Sequence, residues 1–521
     1  MVFLLPLALL QSSLAQAPTA GGWTALPTPV LCQARLVSPV PAPLASGSHL
    51  LQPADASSAH GATPSASLSM ATLQKILEDS GANGRGPRLE FFKSASSLLV
   101  RGEPAALDAA RARILELDRA AETLAIDLDV DLAGTAGGAG SASPDRLAEK
   151  RRVLSGDEVF FGERRTTGFV MGFNVEVAAD SGIAAPVLGT ATYGHNLHLR
   201  AVRVDGGRRI QIQGLLDLSD LTSLDRFDPE TPDLGILQQP AIDFVQIAFA
   251  GVVDSGGTLE VRVGGAALAL PDWKLSVKAV ARPDDPAATG TLDVLDLACI
   301  ARDPTQLQAA APGAELDRLA QFTAPARPPV AIPPAAVAAA LDSRAGDSSG
   351  AHLAAWWGDD LLILRRSDAQ ARADARSLVA AGEASRLAAC RVQVQQGGLS
   401  ATFPVCAGTA ARLLAGRERT VLVGYRVEIA PQTWMPAPDV QKTFDGLALD
   451  AQVVQGAVEC SAWIAKSAPT TVVPRKDAQL GKLQVLSRTL RTQRARVSAG
   501  EPERADPGPA GDVVILRCLA P

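Results

Sequence analysis

His195 and His198 are the closest pair of histidines in this 521-residue chain, and metal binding is the chemistry two imidazoles this near could support. Their spacing argues against it. On a strand, residues three apart point to opposite faces, so the rings cannot converge on one ion, and both are expected to be surface polar positions. Asp127 and Asp129 do share a face of the run Leu124 to Val130, but alternation with Ile126, Leu128 and Val130 marks that face as the solvent side. A glycosidase needs carboxylates opposed across a cleft, which spacing alone does not establish. Glu176 and Glu428 stand at matching places in two similar segments, where a pairing or turn role is a simpler expectation than two equivalent active sites. No G-x-S-x-G, H-E-x-x-H or C-x-x-C occurs, and Gly194 opens a strand rather than a helix, so no phosphate cradle forms there. The expectation is no catalytic residue, no cofactor-binding residue, no metal ligand and no cofactor: not an enzyme.

The elements that would position any such residue follow a plan repeated twice. Residues 73–115 and 337–379 match at an offset of 264, pairing Leu77 with Leu341, Gly86 with Gly350, Leu98 with Leu362 and Arg101 with Arg365. At an offset of 252, Val170-Met171-Gly172-Phe173-Asn174-Val175-Glu176-Val177-Ala178 matches Leu422-Val423-Gly424-Tyr425-Arg426-Val427-Glu428-Ile429-Ala430, and Pro186 and Gly194 match Pro438 and Gly446. Leu297-Ala298-Cys299-Ile300-Ala301 and Leu516-Arg517-Cys518-Leu519-Ala520 are expected to be closing apolar strands. Two copies predict an internal duplication in tandem, too few for a solenoid.

Each copy opens with a short helix, Leu73 to Leu77 or Val337 to Leu341. Strands follow at Leu89–Phe92 and Ser97–Val100, matched by Leu353–Trp357 and Leu361–Leu364. Leu107, Ala110, Ile114 and Leu117 then lie on one face of a helix in which Pro104 takes a tolerated first-turn position; its counterpart begins with Ser367 and Gln370 spaced as a capping box. Beyond a further strand the period becomes two, as in Arg209-Ile210-Gln211-Ile212-Gln213, predicting antiparallel sheet with one wet face. The predicted fold class is α+β: two tandem copies of a small α+β unit followed by a β-rich antiparallel unit. The boundaries read from the sequence are 1–17 signal peptide, 18–68 disordered Pro/Ala/Ser-rich lead-in, 69–132 and 150–304 for copy one, 305–334 linker, and 335–395 and 396–521 for copy two.

Composition narrows the class further. A net charge of −6 with no long basic run offers nothing to nucleic acid, and the cluster Arg488, Arg491, Arg494, Arg496 reads as a solvated face. Val2 to Leu10 is an apolar core followed by Ala15-Gln16-Ala17, the form of a secretory signal peptide. Export permits disulfides, yet only Cys299 and Cys518 correspond between the copies, so buried free thiols are expected. Trp357 is a candidate exposed contact. No run suits a transmembrane helix, and most period-two runs are shorter than the roughly ten residues of a membrane strand, so soluble sheets are expected.

Several segments resemble bacterial secretins, the ring-forming outer-membrane channels of type II and type III secretion and type IV pili. Ala95-Ser96-Ser97-Leu98-Leu99-Val100-Arg101-Gly102, the helix ending Ile114-Leu115-Glu116-Leu117-Asp118, and Ile126-Asp127-Leu128-Asp129-Val130 are similar to the family's periplasmic N-domain. Gly194 to Gly206 and Gly256 to Gly265 resemble strands of its β domain, so the likeness spans about residues 70–270. The resemblance implies an exported structural or assembly protein, located in the periplasm or at the outer membrane. Its partners would be copies of itself or other secretion and envelope proteins. The alternative is a periplasmic or extracellular binding or adhesion protein built from the same modules.

Overall fold

The computed structural model describes residues 24–32, 48–52, 68–78, 90–93, 97–134, 146–179, 181–231, 234–265, 268, 270–284, 292–301, 336, 339, 355–357, 360–365, 369–384, 386–407, 409–431, 433–454, 457–472, 482–498, 502–504 and 514–519. The predicted signal peptide, the linker 305–334, most of the helix over 337–341 and the capping residue Ser367 lie outside these. The α+β expectation is overturned: strand makes up 70% of the structure and helix only 16%. The elements are not arranged as tandem α+β copies either, because strands from both halves of the chain share two large antiparallel sheets.

The first sheet is a meander of eight long strands: β1 (Glu158–Val177), β2 (Gly182–Val204), β3 (Arg209–Phe227), β4 (Leu237–Asp254), β5 (Ala410–Ala430), β6 (Thr433–Val454), β7 (Ala457–Val472) and β8 (Leu483–Val497). Each pairs with the next, and Leu50–Leu51 adds a ninth strand beside β2. These strands run 15 to 23 residues, far longer than the short alternating runs suggest. The second sheet has the order Pro502–Arg504, Ile515–Leu519, Ala389–Gln396, Leu399–Cys406, Thr258–Gly264, Trp273–Ala281, Ala125–Gly134, Arg146–Leu154. Its two halves repeat one order: Ala125–Gly134 and Ala389–Gln396, offset by 264, each sit between the strand that follows them in sequence and one from much later in the chain.

Apolar faces of the two sheets pack together. Leu197, Leu199, Ile210, Ile212, Val245 and Ile247 of the first meet Ile126, Leu128, Val261, Leu275, Val392 and Phe403 of the second, all buried. Burial of this kind contributes about 25 cal/mol per Å² of apolar area and ties the two halves into one core.

The 252-residue offset reappears as register. Val170 pairs with Leu188 and Gly172 with Val187, leaving Met171 as an extra residue; Leu422 pairs with Val440 and Gly424 with Asp439, leaving Val423 extra. A bulge bends its strand and increases the local twist. At the first bulge, Phe169 and Met171 of β1 pack against Phe244 of β4, Leu414 of β5, Ala448 of β6 and Trp463 of β7. Gly194, at φ +134°, lies opposite Arg164 in a conformation that disfavours side chains, and an added Cβ would stand 2.3 Å from the Glu163 carbonyl oxygen. Gly194→Ala is expected to destabilise the fold by about 2 kcal/mol, measured by chemical denaturation.

Helix Pro104–Thr123 forms as predicted, burying Leu107, Ala110, Ile114 and Leu117 against Leu26, Leu73, Leu98 and Val100. The lead-in departs from its expectation. Thr24–Pro27 pairs with Ser97–Arg101, Leu31 is buried, and Ser48 to Leu51 is buried in the large sheet. Apolar side chains spaced among the prolines and serines account for this docking. Cys299 also departs: it lies in the helical turn Ala298–Ala301, initiated by the Asp296 carboxylate accepting from Ala298 N at 2.9 Å, whereas Cys518 is on a strand. The strand that pairs with Ala125–Gly134, as Ile515–Leu519 pairs with Ala389–Gln396, is Trp273–Ala281. None of the six cysteines forms a disulfide, and five of them are buried. No helix among the described residues is long and apolar enough to cross a membrane.

Candidate functional site

Alternation gives the large sheet a second face, and this face is covered too: Cys299 of the helical turn Ala298–Ala301 donates to Gln211 Oε1 at 3.6 Å, and Phe160 packs on Leu215 and Ala248. The expectation of one wet face is therefore corrected: Gln211 and Gln213 are only 2% and 7% exposed. This inner face carries polar side chains beside its apolar clusters, and most buried polar groups in proteins are hydrogen-bonded. Gln246, 1% exposed, has neither amide atom hydrogen-bonded among the described residues.

Two ionic clusters lie on this inner face. In the first, Glu158 of β1 holds His198 (Nε2 to Oε2, 3.2 Å) and Arg200 of β2, and Arg200 is 1% exposed. Burial acts to raise the Glu158 carboxyl, but the His198 hydrogen bond and the Arg200 charge outweigh it and hold the group down at about 2. The second cluster joins the two halves of the chain. His49 Nε2 lies 2.9 Å from Asp217 Oδ1 of β3, while Glu418 of β5 accepts from Ser48 Oγ at 2.6 Å and His49 N at 2.8 Å. Arg164 of β1 approaches Asp217 at 4.0 Å, and the His49 ring packs on Phe244 with centroids 4.6 Å apart.

A third group of charges lies where the turn after β2 meets helix Ala369–Ala384. A cavity of about 440 Å³ there is lined by Arg203, Asp205, Asp284, Asp296, Arg376 and Glu383. Glu383 accepts from Asp205 N at 2.9 Å; burial, reinforced by Asp296 and Asp205, pushes its carboxyl up to about 7. Burial likewise raises Asp296, to about 6. A carboxyl raised on folding contributes stability that is present below its unfolded value of 4.5 and is lost as pH rises through the folded one. Glu383→Gln is expected to remove about 3 kcal/mol of the stability that the parent loses between pH 4.5 and 7, read from denaturation midpoints at several pH values.

The sequence candidates fall as follows. His195 and His198 do face opposite sides, but both are buried: His195 packs on Trp273 and His198 on Glu158. Asp127 and Asp129 sit on the outer side of the second sheet, ion-paired with Arg152 at 3.6 Å and Lys150 at 3.0 Å. Glu176 and Glu428 are exposed near hairpin tips, opposite Ile183 and Met435. Trp357 pairs with Leu362 in a three-stranded sheet. Arg488, Arg491, Arg494 and Arg496 lie along β8, and Arg491 is partly buried, with an Nη1 that has no hydrogen-bond partner among the described residues. The structure brings none of these candidates together. The Glu158 and His49 clusters escaped the sequence reading, since alternation does not distinguish a wet face from a buried polar one. Among the described residues no group of three or more His, Cys, Asp or Glu side chains is placed to hold a metal ion.

No family model matches the chain, and no curated protein does. Among solved structures it is similar to the InvG secretin-domain β-barrel of the Salmonella SPI-1 injectisome, at 11% identity and a TM-score of 0.23 over 52% of this chain and 91% of that one. It is also similar to the InvG secretin of that injectisome, at 12% identity and a TM-score of 0.22 over 44% of this chain and 81% of that one. InvG in the Salmonella basal-body assembly with PrgH and PrgK matches at 12% identity and a TM-score of 0.22, over 44% of this chain and 58% of that one.

Proposed function

We propose that this chain is an exported, non-enzymatic, secretin-like structural protein of the bacterial envelope. It works by edge-to-edge addition of copies of itself, with β1–β4 and β5–β8 as two copies of one module. Periplasmic or outer-membrane association and contacts with other secretion proteins belong to the same reading.

The observation that carries it is the joint between β4 and β5. Phe244 pairs with Gly416 and Val245 with Ala415, while the Asp243 carboxylate binds Arg417 bidentately at 2.6 and 3.0 Å across that joint. One row of pairs crosses the whole sheet: Glu163, His195, Leu218, Val245, Ala415, Leu447, Ile464, Arg491. The row repeats its geometry every four strands and ends on opposite charges at the two edges that no described strand covers. Continuing it places Arg491 of one copy opposite Glu163 of the next. The second sheet supports the same step: Leu399–Cys406 meets Thr258–Gly264 inside the chain, and Pro502–Arg504 and Arg146–Leu154 are its free edges. Unpaired edges are templates for strand addition. Mass photometry and electron microscopy of the mature chain test this: assemblies of two or more chains are expected, and strictly monomeric particles at micromolar concentration would overturn it.

A further inference from the structure

The Ser48–Leu51 segment is held by an unusual division of labour. Only Leu50 and Leu51 pair as strand, with Ala191 and Thr190, and Thr192 N donates to the His49 carbonyl at 2.9 Å. The rest of its hold is electrostatic and apolar. Asp217 is 0% and Glu418 2% exposed, on strands from opposite halves of the chain, and both receive hydrogen bonds from this segment. Leu50 joins the buried cluster of Phe169, Phe244 and Trp463. With the segment withdrawn, Glu418 would lose both of its bonds to Ser48 and His49, and among the described residues Asp217 would keep only Arg164 at 4.0 Å. Buried carboxylates without partners are costly, so the slot demands an occupant with a polar residue, a histidine and two leucines in extended conformation.

We infer that this slot is a recognition site for the Ser48–Leu51 segment of a second copy, exchanged as an arm. Residues 33–47 and 53–67 connect the segment to its flanks; each stretch can span up to about 50 Å at about 3.4 Å per residue, enough to reach a neighbouring molecule. Exchange of an identical segment keeps every contact while changing its origin, which makes it a low-cost link between chains. The inference does not rest on the edge-addition reading.

Leu51 and Thr190 are directly opposed, so cysteines at these positions report which chain supplies the arm. A full-length Leu51→Cys, Thr190→Cys chain tests the geometry, and a mixture of the two single variants tests exchange. Both are made in an Arg491→Glu background, so that failure of edge addition cannot produce the result. The expected outcome is an intrachain bond in the double variant and a covalent heterodimer in the mixture on non-reducing gels. A synthetic peptide of residues 44–55 should suppress the heterodimer at least tenfold better than the same peptide with Ala for His49. An intrachain bond without any heterodimer would show that the arm stays in its own slot and overturn the proposal. Failure of the double variant to cross-link, or equal competition by both peptides, would overturn it as well.

Discussion

A chain carrying Arg491→Glu will assemble about twofold to thirtyfold more weakly than the parent, and adding Glu163→Arg will restore assembly. The expectation follows from the row of pairs that ends on these two residues. Directly opposed charges on neighbouring strands contribute about 0.2–1 kcal/mol when opposite in sign and cost a similar amount when alike. Inverting one partner therefore shifts each joint by up to about 2 kcal/mol, and a factor of ten corresponds to about 1.4 kcal/mol. The internal joint is insulated from the change, since Val245 and Ala415 fill the equivalent places and Asp243–Arg417 provides its charge pair. Concentration series in mass photometry of the parent, both single variants and the double variant will check it. Equal assembly by the parent and both single variants would rule out this register, whatever other contact holds the copies together.

Glu158→Gln is the larger intramolecular perturbation. It removes the carboxylate paired with Arg200, at 1% exposure, leaving the guanidinium the neutral Gln213 amide oxygen at 3.4 Å, and breaking a buried ion pair costs about 3–5 kcal/mol. The pH dependence follows from the lowered carboxyl. A group depressed from 4.5 to about 2 on folding contributes stability that is complete above its unfolded value and is lost as pH falls through the folded one. The parent should therefore lose about 3 kcal/mol from this group between pH 5 and pH 2, and the variant should lack that loss. Urea denaturation across this range measures both. An unchanged acid slope in the variant would assign the loss to other carboxylates. Residual binding to His198 does not rescue the variant, because a neutral amide cannot balance Arg200.

Local pattern was legible where burial on one side decides it. The helix around Leu107 and Ile114 and the strand Ala125–Gly134 came directly from periodicity, and matched residues at an offset of 252 proved to share register down to the extra residues Met171 and Val423. Class and topology were not legible. Counting elements gave weight to short helices, while the long strands hid because glycines and prolines such as Gly162, Gly194 and Pro438 interrupt their alternation without ending them. Nor does a sequence say that β4 will pair with β5 across more than 150 intervening residues; that follows from two open edges of matching register. The inner clusters were missed for a similar reason. Gln213 and Asp217 look like solvent-facing positions, yet both are buried in the folded chain.

The two four-strand sets are covalently joined, and that linkage sets a parity rule. Any closed assembly grown by this edge must contain an even number of sets, with two kinds of seam in strict alternation. One seam lies within a chain, carrying the Asp243–Arg417 pair. The other would lie between chains and would depend on Arg491 and Glu163. Under tension such an object would fail at every second seam, so its mechanical unit is a pair of sets, a granularity that an assembly of single-set chains would not have.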